Sequence, residues 1–213
     1  DLKKYIENIK NFNIRYNEII KDTENVEKYI KKIEELYKKG IISINRGKIL
    51  KCDCGKVEML KTSVKYNKNG ELYYWNDGKI ICKFCEKECK EYVQNNLLLD
   101  IKKEYCKDIS ISPIFSKNEI KDLSNKFINK GILISKNRQN NYYIQIEGQK
   151  YYIDIDMLWM MFNQVEESKN QILIASNHQL YEMFISNYIN NIFNNKNIHY
   201  IATPYLTNNE NIN

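Results

Sequence analysis

The chain has 213 residues, of which 43% are hydrophobic, so it can bury a substantial core as one large domain or two small ones. Lysine and arginine number 33 against 27 aspartates and glutamates, a formal net charge of +6. This balance is compatible with a nucleic-acid or nucleotide partner without requiring one. The sequence has no run of about 18 apolar residues and no signal-peptide pattern, which argues against a membrane partner or secretion and favours a cytoplasmic location.

Apolar residues in the first forty positions recur at helical spacing and predict two helices. These positions are Ile6, Ile9, Phe12, Val26, Tyr29, Ile30, Ile33, Leu36 and Tyr37. A break is expected near Lys21 to Thr23, with Thr23 or Asn25 capping the second helix and Gly40 ending it. The lysines between the apolar positions are interpreted as a solvated face.

Residues 41 to 93 carry short strand-like patterns. IISINRGKIL alternates in polarity around a turn predicted at Arg46-Gly47. Two further runs, MLKTSVKY and ELYYW, flank NKNG, where a hairpin turn is expected because Asn-Gly accepts positive φ angles. Helices are not expected in this segment.

Helix and strand patterns alternate after residue 116. SKNE at 116 to 119 is a capping box that opens a helix ended by Gly131, and two or three strands follow, with turns at NRQNN and EGQK. After a short helix, MLWMMFNQVEE, a buried strand QILIA precedes the helix HQLYEMFISNYINNIF and the strand NIHYIA. This order predicts a βαβ unit with parallel strands and a right-handed crossover. One face of its helix is expected to carry Leu180, Met183, Phe184, Tyr188, Ile192 and Phe193.

Four cysteines form two close pairs, and these are Cys52 with Cys54 and Cys82 with Cys85. Tetrahedral zinc needs four thiolates at about 2.3 Å, and two tight turns supply them while a hairpin spans the gap. The spacing predicts a zinc-ribbon lobe with structural zinc, because four cysteine ligands leave no position for a catalytic water. Reduced cysteines packed in a small core are the alternative, since disulfides are not expected in the cytosol. Cys89 could replace a ligand, and Cys106 is expected to be a buried or free thiol.

ASNHQ, at 175 to 179, falls where the predicted strand QILIA ends and the next helix begins. Open parallel sheets bind ligands beyond the carboxyl ends of their strands, where a helix N-terminus offers unpaired N–H groups to an anion. Asn177 or His178 would face such a ligand. An ordinary helix cap made by Ser176 or Asn177 is the alternative.

These patterns together predict a mixed α/β protein in three parts. Residues 1–45 form a helical segment, residues 46–105 a zinc-ribbon lobe, and residues 106–213 an α/β region with a partial Rossmann-like sheet. No internal repeat occurs.

The order of the pieces resembles the central part of a class I aminoacyl-tRNA synthetase. It consists of helices, a cysteine ribbon, YYIDIDMLWMMF, a strand ending in ASNH, a long helix and a strand ending in IATPY. The sequence looks most like class I lysyl-tRNA synthetase, and methionyl-type enzymes are a more distant match. In that family a CxxCG ribbon is followed by W-R-V-D-W-P-x-R-W and by a G-K-D-H turn at the amino-acid and adenylate site. Asp154 matches the aspartate of the first motif, Trp159 its later tryptophan, and His178 the histidine of the second.

This resemblance covers about two thirds of the chain and implies a translation protein that binds tRNA and an amino acid or adenylate. It assigns the small-molecule pocket to Asp154, Trp159, Asn177 and His178. Several motif positions differ, because Tyr152 and Leu158 replace arginines and CDCG replaces CxxCG. Ala175, Ser176 and Asn177 replace the Gly-Lys-Asp of the turn. As alternatives, Asp154 and Asp156 would be solvent-facing strand positions and Trp159 a core residue.

The phosphate-binding motifs of class I synthetases, of HIGH and KMSKS type, do not occur in the chain. Its histidines are His178 and His199, and no His-x-Gly-His is present. The chain begins at Asp1 rather than methionine, as expected of a chain trimmed or cut from something longer. We therefore expect a protein that is not catalytically complete alone, with a remainder of the same polypeptide as one candidate partner.

A second hypothesis is a zinc-ribbon and winged-helix-like module that binds nucleic acid or regulates another protein. SKNEIKDLSNKFINKG followed by strand, turn and strand matches the helix and wing of that fold. Its phosphate contacts would come from Lys126, Lys130, Lys136 and Arg138. A solvated charged face explains the same residues.

Overall fold

The computed structural model describes residues 2–11, 15, 22–54, 57–59, 64–65, 73–129, 131–135, 142–161, 164, 168–193 and 196–204. Its helices are α1 (Leu2–Asn11), α2 (Val26–Lys38), α3 (Ser116–Phe127), α4 (Ile155–Met160) and α5 (Leu180–Phe193). The first strands are β1 (Ile42–Lys51), β2 (Val57–Met59), β3 (Val64–Lys65), β4 (Tyr73–Asn76), β5 (Lys79–Cys82) and β6 (Lys90–Leu99). The later strands are β7 (Ser110–Ser112), β8 (Ile132–Leu133), β9 (Tyr143–Ile146), β10 (Gln149–Tyr152), β11 (Asn170–Ser176) and β12 (Asn197–Thr203).

Helix α2 begins and ends where the sequence pattern predicts. Asn25 occupies the N-cap position, although its side chain makes no capping hydrogen bond, and Gly40 follows the helix with φ +65°. The buried face of the helix consists of Tyr29, Ile33 and Leu36. Within the residues that the structure describes, no helix combines the length and hydrophobicity that a membrane span requires.

The longest pairing among the described strands joins β1 and β6 in antiparallel register, from Ile42 opposite Leu99 to Lys51 opposite Lys90. Their sheet has the order β2-β1-β6-β8. The turn predicted at Arg46-Gly47 is wrong, because β1 runs straight through both residues. Pairing with β6 satisfies this backbone along its length, so no reversal is needed there.

A parallel sheet with the order β11-β12-β7 confirms the predicted βαβ unit. β11 and β12 pair in parallel from Asn170 opposite Asn197 to Ser176 opposite Thr203, and α5 connects them. β7 adds a third parallel strand on the other side of β12, with Ser110 opposite His199. The fold is therefore mixed α/β and includes a three-stranded parallel sheet.

Helix α5 packs against this sheet with the face predicted from its sequence. Leu180, Met183, Phe184 and Tyr188 are buried, and Ile192 and Phe193 are partly buried. The Tyr188 hydroxyl donates to the Asp100 carbonyl oxygen over 2.7 Å and accepts from the Lys102 N–H over 3.0 Å. These bonds fix α5 to the segment that leads into β7.

The capping box predicted at SKNE does not form. Ser116 is the first residue of α3 and is buried, while Phe115 occupies the N-cap position without a side-chain hydrogen bond. The helix ends at Phe127, and Gly131 follows with φ +71°. The start of the helix lies one residue earlier than expected, so the serine side chain is not in the position that caps.

Among the described residues, the structure contains one hairpin that was predicted and another, between β4 and β5, that was not. β9 and β10 are antiparallel and turn through Glu147 and Gly148, both with positive φ, as EGQK indicated. The hairpin expected around NKNG is wrong, because β3 and β4 pair in parallel, although NKNG itself lies outside the described residues. The second hairpin joins β4 to β5 through Asp77 and Gly78, whose φ angles are 46° and 74°. NRQNN lies outside the described residues.

Most of the buried apolar residues that the structure describes belong to two clusters. The larger draws from all three predicted segments, for example Ile33 on α2, Leu97 on β6 and Tyr188 on α5. The smaller consists of Leu50, Cys52, Ile80, Cys82 and Cys89, with Cys85 packed against it.

Candidate metal centre and sheet-edge site

The two cysteine pairs meet in space, as their spacing predicts. Cys52 and Cys54 follow the end of β1, while Cys82 ends β5 and Cys85 lies in the turn after it. Their four Sγ atoms all lie within 4.8 Å of one another. Cys52 Sγ is 3.0 Å from Cys85 Sγ, and Cys54 Sγ is 3.6 Å from Cys82 Sγ. Sulfur atoms around a tetrahedral ion with 2.3 Å bonds are ~3.8 Å apart, so the cluster matches the size of a one-metal site.

Backbone N–H groups point at three of these sulfur atoms. The amides of Phe84 and Cys85 bond to the Cys82 thiol, and the amide of Lys87 bonds to Cys85. The amide of Cys54 does the same for Cys52. Each of these bonds lowers the pKa of the thiol that accepts it, because an N–H dipole stabilises a thiolate. The two turns are therefore shaped to hold negative sulfur.

Burial opposes these hydrogen bonds in the metal-free cluster. It raises the pKa of the Cys52 thiol well above its usual range, and it also raises the pKa of the Cys82 thiol. The hydrogen bond from Cys52 lowers the pKa of Cys85 to about 7. At neutral pH the metal-free Cys52 and Cys82 therefore carry protons, which a bound metal must displace. Metal affinity should consequently rise with pH.

Of the remaining two cysteines, Cys89 lies beside this group of four, whereas Cys106 lies apart from it. Cys89 is buried in the smaller cluster, and burial raises its pKa to about 12. Cys106 is a half-buried free thiol whose Sγ donates to the Lys102 carbonyl oxygen over 3.5 Å. It packs against the larger cluster rather than the cysteine site.

The second candidate site lies at the carboxyl edge of the parallel sheet. β11 ends at Ser176, and a single 3-10 turn, Asn177–Gln179, leads into α5. Ser176 and Gln179 form a capping box in which the Ser176 N–H donates to Gln179 Oε1 over 3.3 Å. The interpretation of this turn as a helix cap is therefore confirmed at Ser176. A cap does not preclude ligand binding by the N–H groups that remain.

Asp154 lies at the start of α4, which packs against α5. Its carbonyl oxygen accepts from the N–H groups of Met157 and Leu158 over 3.0 and 3.4 Å. Its own N–H donates to the Ile134 carbonyl oxygen over 3.0 Å. Asp154 thus ends an extended segment and begins a helix, so it is not one of the strand positions that the alternative assigned to it.

The other residues of the predicted pocket are placed by their backbone. Trp159 belongs to α4 and His178 to the turn before α5, and their side chains lie outside what the structure describes. Asn177 is half-buried, and its Oδ1 atom is buried without a hydrogen-bond partner among the described residues. The structure thus places the four residues on adjoining elements, α4 and the start of α5. Their convergence on one ligand stays a prediction.

A polar group on the exposed face of the parallel sheet was not predicted from the sequence. His199 Nδ1 lies 2.8 Å from Ser110 Oγ, and its Nε2 lies 3.1 Å from Ser112 Oγ. Beside them, Ile172 and Ile174 on β11 are 69% and 65% exposed. Alternation along β12 puts His199 on the same face as Ile201, and the pairing of β12 with β7 brings the two serines to that face.

Solved structures of other proteins share this architecture. The chain matches methionyl-tRNA synthetase of Mycobacterium tuberculosis in complex with methionyl-adenylate with a TM-score of 0.64 and 9% sequence identity, over 96% of this chain and 43% of that one. The apo form of that enzyme gives a TM-score of 0.62 with 8% identity, over 92% of this chain and 43% of that one. The fold of this chain therefore resembles that of part of these methionyl-tRNA synthetase structures. Its sequence matches no protein-family profile and no curated protein.

This likeness is one of fold, and the chain spans less than half the length of the structures it matches. The matched enzymes are of methionyl type, which the sequence ranked as the more distant resemblance. The closer resemblance, to lysyl-tRNA synthetase, is not tested by these matches.

Proposed function

We propose that this chain is a synthetase-like translation protein that binds an amino acid or its adenylate at the carboxyl edge of the β11-β12-β7 sheet. The observation that carries the proposal is the structural match over 96% of the chain to a synthetase bound to methionyl-adenylate. The same edge is where open parallel sheets bind ligands. As part of a complete enzyme, the chain would serve an aminoacyl-tRNA ligase located in the cytoplasm.

In this proposal, each pocket residue has a separate role. The Asp154 carboxylate would bind the substrate amino group, and Trp159 would pack against the amino-acid side chain. N–H groups at the start of α5, with Asn177 and His178, would face the carboxylate or phosphate. Ala175 and Ser176 stand where the family has Gly-Lys, so the site lacks a cation that would help to hold an anion. We therefore expect the affinity for an adenylate to be weak.

The cysteine site would hold one structural zinc ion through Cys52, Cys54, Cys82 and Cys85. Four thiolates at tetrahedral spacing suit zinc among the abundant divalent metals. The bound metal would fix the ends of β1 and β5, and the ribbon would position the acceptor end of tRNA. The same proposal includes recognition of a particular amino acid. It also includes a further part of the polypeptide that completes the enzyme.

The winged-helix alternative is less well supported by the topology. β8 pairs with β6, whereas β9 pairs with β10, so the strands that follow α3 belong to two different sheets. Of the four proposed phosphate contacts, Lys126 lies over the Phe127 ring at 5.2 Å from its centroid. Lys130, Lys136 and Arg138 lie outside the described residues. Binding to duplex DNA without affinity for an adenylate analogue would favour this alternative.

The chain alone is expected not to activate any amino acid. It lacks both phosphate-binding motifs, and positioning of ATP supplies much of the rate in phosphoryl-group chemistry. Amino-acid-dependent exchange of pyrophosphate into ATP measures this step directly, with the Mycobacterium tuberculosis enzyme as a positive control. Exchange by the 213-residue chain above the rate of a protein-free blank would contradict the prediction. The proposal that the chain binds an adenylate is tested separately by titration with a stable analogue.

A further inference from the structure

A cavity lies away from the carboxyl edge of the parallel sheet. It has a volume of about 450 Å³ and is enclosed by residues 103–109, α3 and α5. Small-molecule sites in proteins commonly measure about 300–1,000 Å³, so the space is large enough for a ligand of nucleotide size. Residues 103–109 lead directly into Ser110, the first residue of β7, so they lie toward the amino end of that strand. The cavity, called the lysine cavity below, is therefore distinct from the proposed amino-acid site at the carboxyl ends.

The floor of the lysine cavity is apolar and aromatic. Ile120 of α3 and Phe184 and Tyr188 of α5 line it, and all three are buried. Tyr188 is held by its hydrogen bonds to Asp100 and Lys102, and its ring meets that of Tyr105 edge to face at 6.1 Å. Burial also raises the pKa of Tyr188 above its usual range, so the floor stays uncharged at neutral pH. Such a floor suits the apolar or planar part of a ligand.

The rim of the lysine cavity carries a concentrated positive charge. Four lysines and one aspartate line it, a net charge of +3. Lys117 Nζ is paired with Asp108 Oδ2 at 2.9 Å, and this pair accounts for the one carboxylate. The ammonium groups of Lys103, Lys107 and Lys121 make no hydrogen bond or ion pair with the described residues. Three ammonium groups around one opening repel each other, and a polyvalent anion would relieve that repulsion.

Uncharged polar groups lie between the rim and the floor. The side chains of Asn118, Asn125 and Asn187, with the Ser124 hydroxyl, line the cavity. Within the part of the chain that the structure describes, the three amide side chains hydrogen-bond to no other protein group. Amides of this kind can donate to and accept from the edge of a nucleobase or a ribose hydroxyl.

We propose that the lysine cavity binds a nucleoside polyphosphate, with its phosphates at Lys103, Lys107 and Lys121 and its base against the aromatic floor. A monovalent carboxylate would leave most of the rim charge unmatched. Inorganic phosphate would leave the floor and the amides unused. A nucleotide combines several negative charges with a planar, hydrogen-bonding body, which corresponds to the three zones of the cavity.

The test measures binding of a fluorescent N-methylanthraniloyl derivative of ATP to the full chain by anisotropy, with competition by unlabelled compounds. Displacement is expected to weaken in the order ATP, ADP, AMP and adenosine, because each lost phosphate removes charge from the rim. The triple variant Lys103→Ala/Lys107→Ala/Lys121→Ala is expected to bind about tenfold or more weakly. The variant Lys28→Ala/Lys31→Ala/Lys38→Ala changes the net charge equally at exposed positions of α2 and should bind like the wild type.

A second variant tests whether the open volume of the cavity, and not only its charge, is needed for binding. Ser124→Phe places a large side chain in the cavity without changing the net charge, and it should also weaken binding. Equal loss in the two triple variants would overturn the proposal, as would inorganic triphosphate competing as well as ATP. If Asn177→Ala abolishes binding while Ser124→Phe has no effect, the nucleotide binds at the sheet edge. That outcome would overturn the lysine cavity and leave the proposed function standing.

Discussion

Replacing Cys82 by serine is expected to abolish the proposed zinc binding and to unfold the part of the chain around the smaller cluster, which contains Leu50, Ile80 and Cys89. Cys82 is fully buried, and its Sγ lies 3.6 Å from that of Cys54 within the group of four. The hydrophobic cluster around it is small, so burial alone offers little stability to this part of the chain. Structural zinc contributes an apparent free energy on the order of 10 kcal/mol or more in small metal-bound domains. If zinc binds as proposed, losing one ligand removes the main stabilising interaction of this part of the chain.

Metal analysis of protein purified without chelator is the direct measurement for this prediction. The wild type should contain about one zinc per chain, and Cys82→Ser should contain close to none. Cys106→Ser is the matched control, because Cys106 packs against the other cluster and should leave the metal in place. Full zinc content in Cys82→Ser would show that Cys82 is not a ligand. Loss of zinc in Cys89→Ser together with its retention in Cys54→Ser would instead place Cys89 in the site.

Replacing Leu36 by alanine is expected to lower the free energy of unfolding by about 2–5 kcal/mol. Leu36 lies on α2 with 0% of its side chain exposed, and it belongs to the same apolar cluster as Tyr188 of α5. The substitution leaves a cavity between the N-terminal helix and the α/β core. For a chain of this length the midpoint of thermal unfolding should fall by about 10 °C, as measured by circular dichroism or calorimetry.

Lys31→Ala on the same helix is the control for Leu36→Ala. Lys31 is exposed, and substitutions at exposed positions usually change stability by less than about 0.5 kcal/mol. Equal melting temperatures for the two variants would mean that α2 does not share the core. A separate, earlier transition in the wild type would also show that residues 1–45 unfold on their own, as the predicted boundaries allow.

Features that depend on neighbours along the chain could be predicted from the sequence. Helical spacing located α2 and the buried face of α5. The order of QILIA, helix and NIHYIA was enough to predict the parallel pairing of β11 and β12, because a crossover helix returns the chain in the same direction. The two cysteine pairs met as predicted, since the short turns that carry them follow strand ends.

Features that depend on distant segments could not be predicted in this way. Arg46-Gly47 looks like a turn on its own, but pairing with β6 keeps the backbone extended through both residues. The residues SKNE form a local capping pattern. Ser116 is nevertheless the first residue of α3, one position after the N-cap, so its side chain cannot cap the helix. In both cases tertiary contacts decide a choice that local propensity leaves nearly balanced.

The candidate sites also differ in how far they could be predicted from the sequence. The cysteine group follows from spacing, whereas the roles of Asp154, Trp159, Asn177 and His178 depend on resemblance to a family. The contact of His199 with Ser110 and Ser112 joins segments 89 and 87 residues apart. The lysine cavity likewise joins residues 103–109 to α5, and in a lysine-rich chain no local pattern marks its rim.

The central claim is that the carboxyl edge of the parallel sheet binds an aminoacyl adenylate. Titration of isotope-labelled protein with methionyl- and lysyl-sulfamoyl-adenosine, stable analogues of the adenylates, tests it most directly by nuclear magnetic resonance. Chemical shifts of backbone amides should change at 175–180 and at 154–160, with a Kd of about 0.1–1 mM for the preferred amino acid. Asn177→Ala should weaken binding, whereas Asn45→Ala, at an exposed position of β1, should not. An absence of shift changes at these two segments up to about 5 mM analogue, or changes confined to the lysine cavity, would contradict the account.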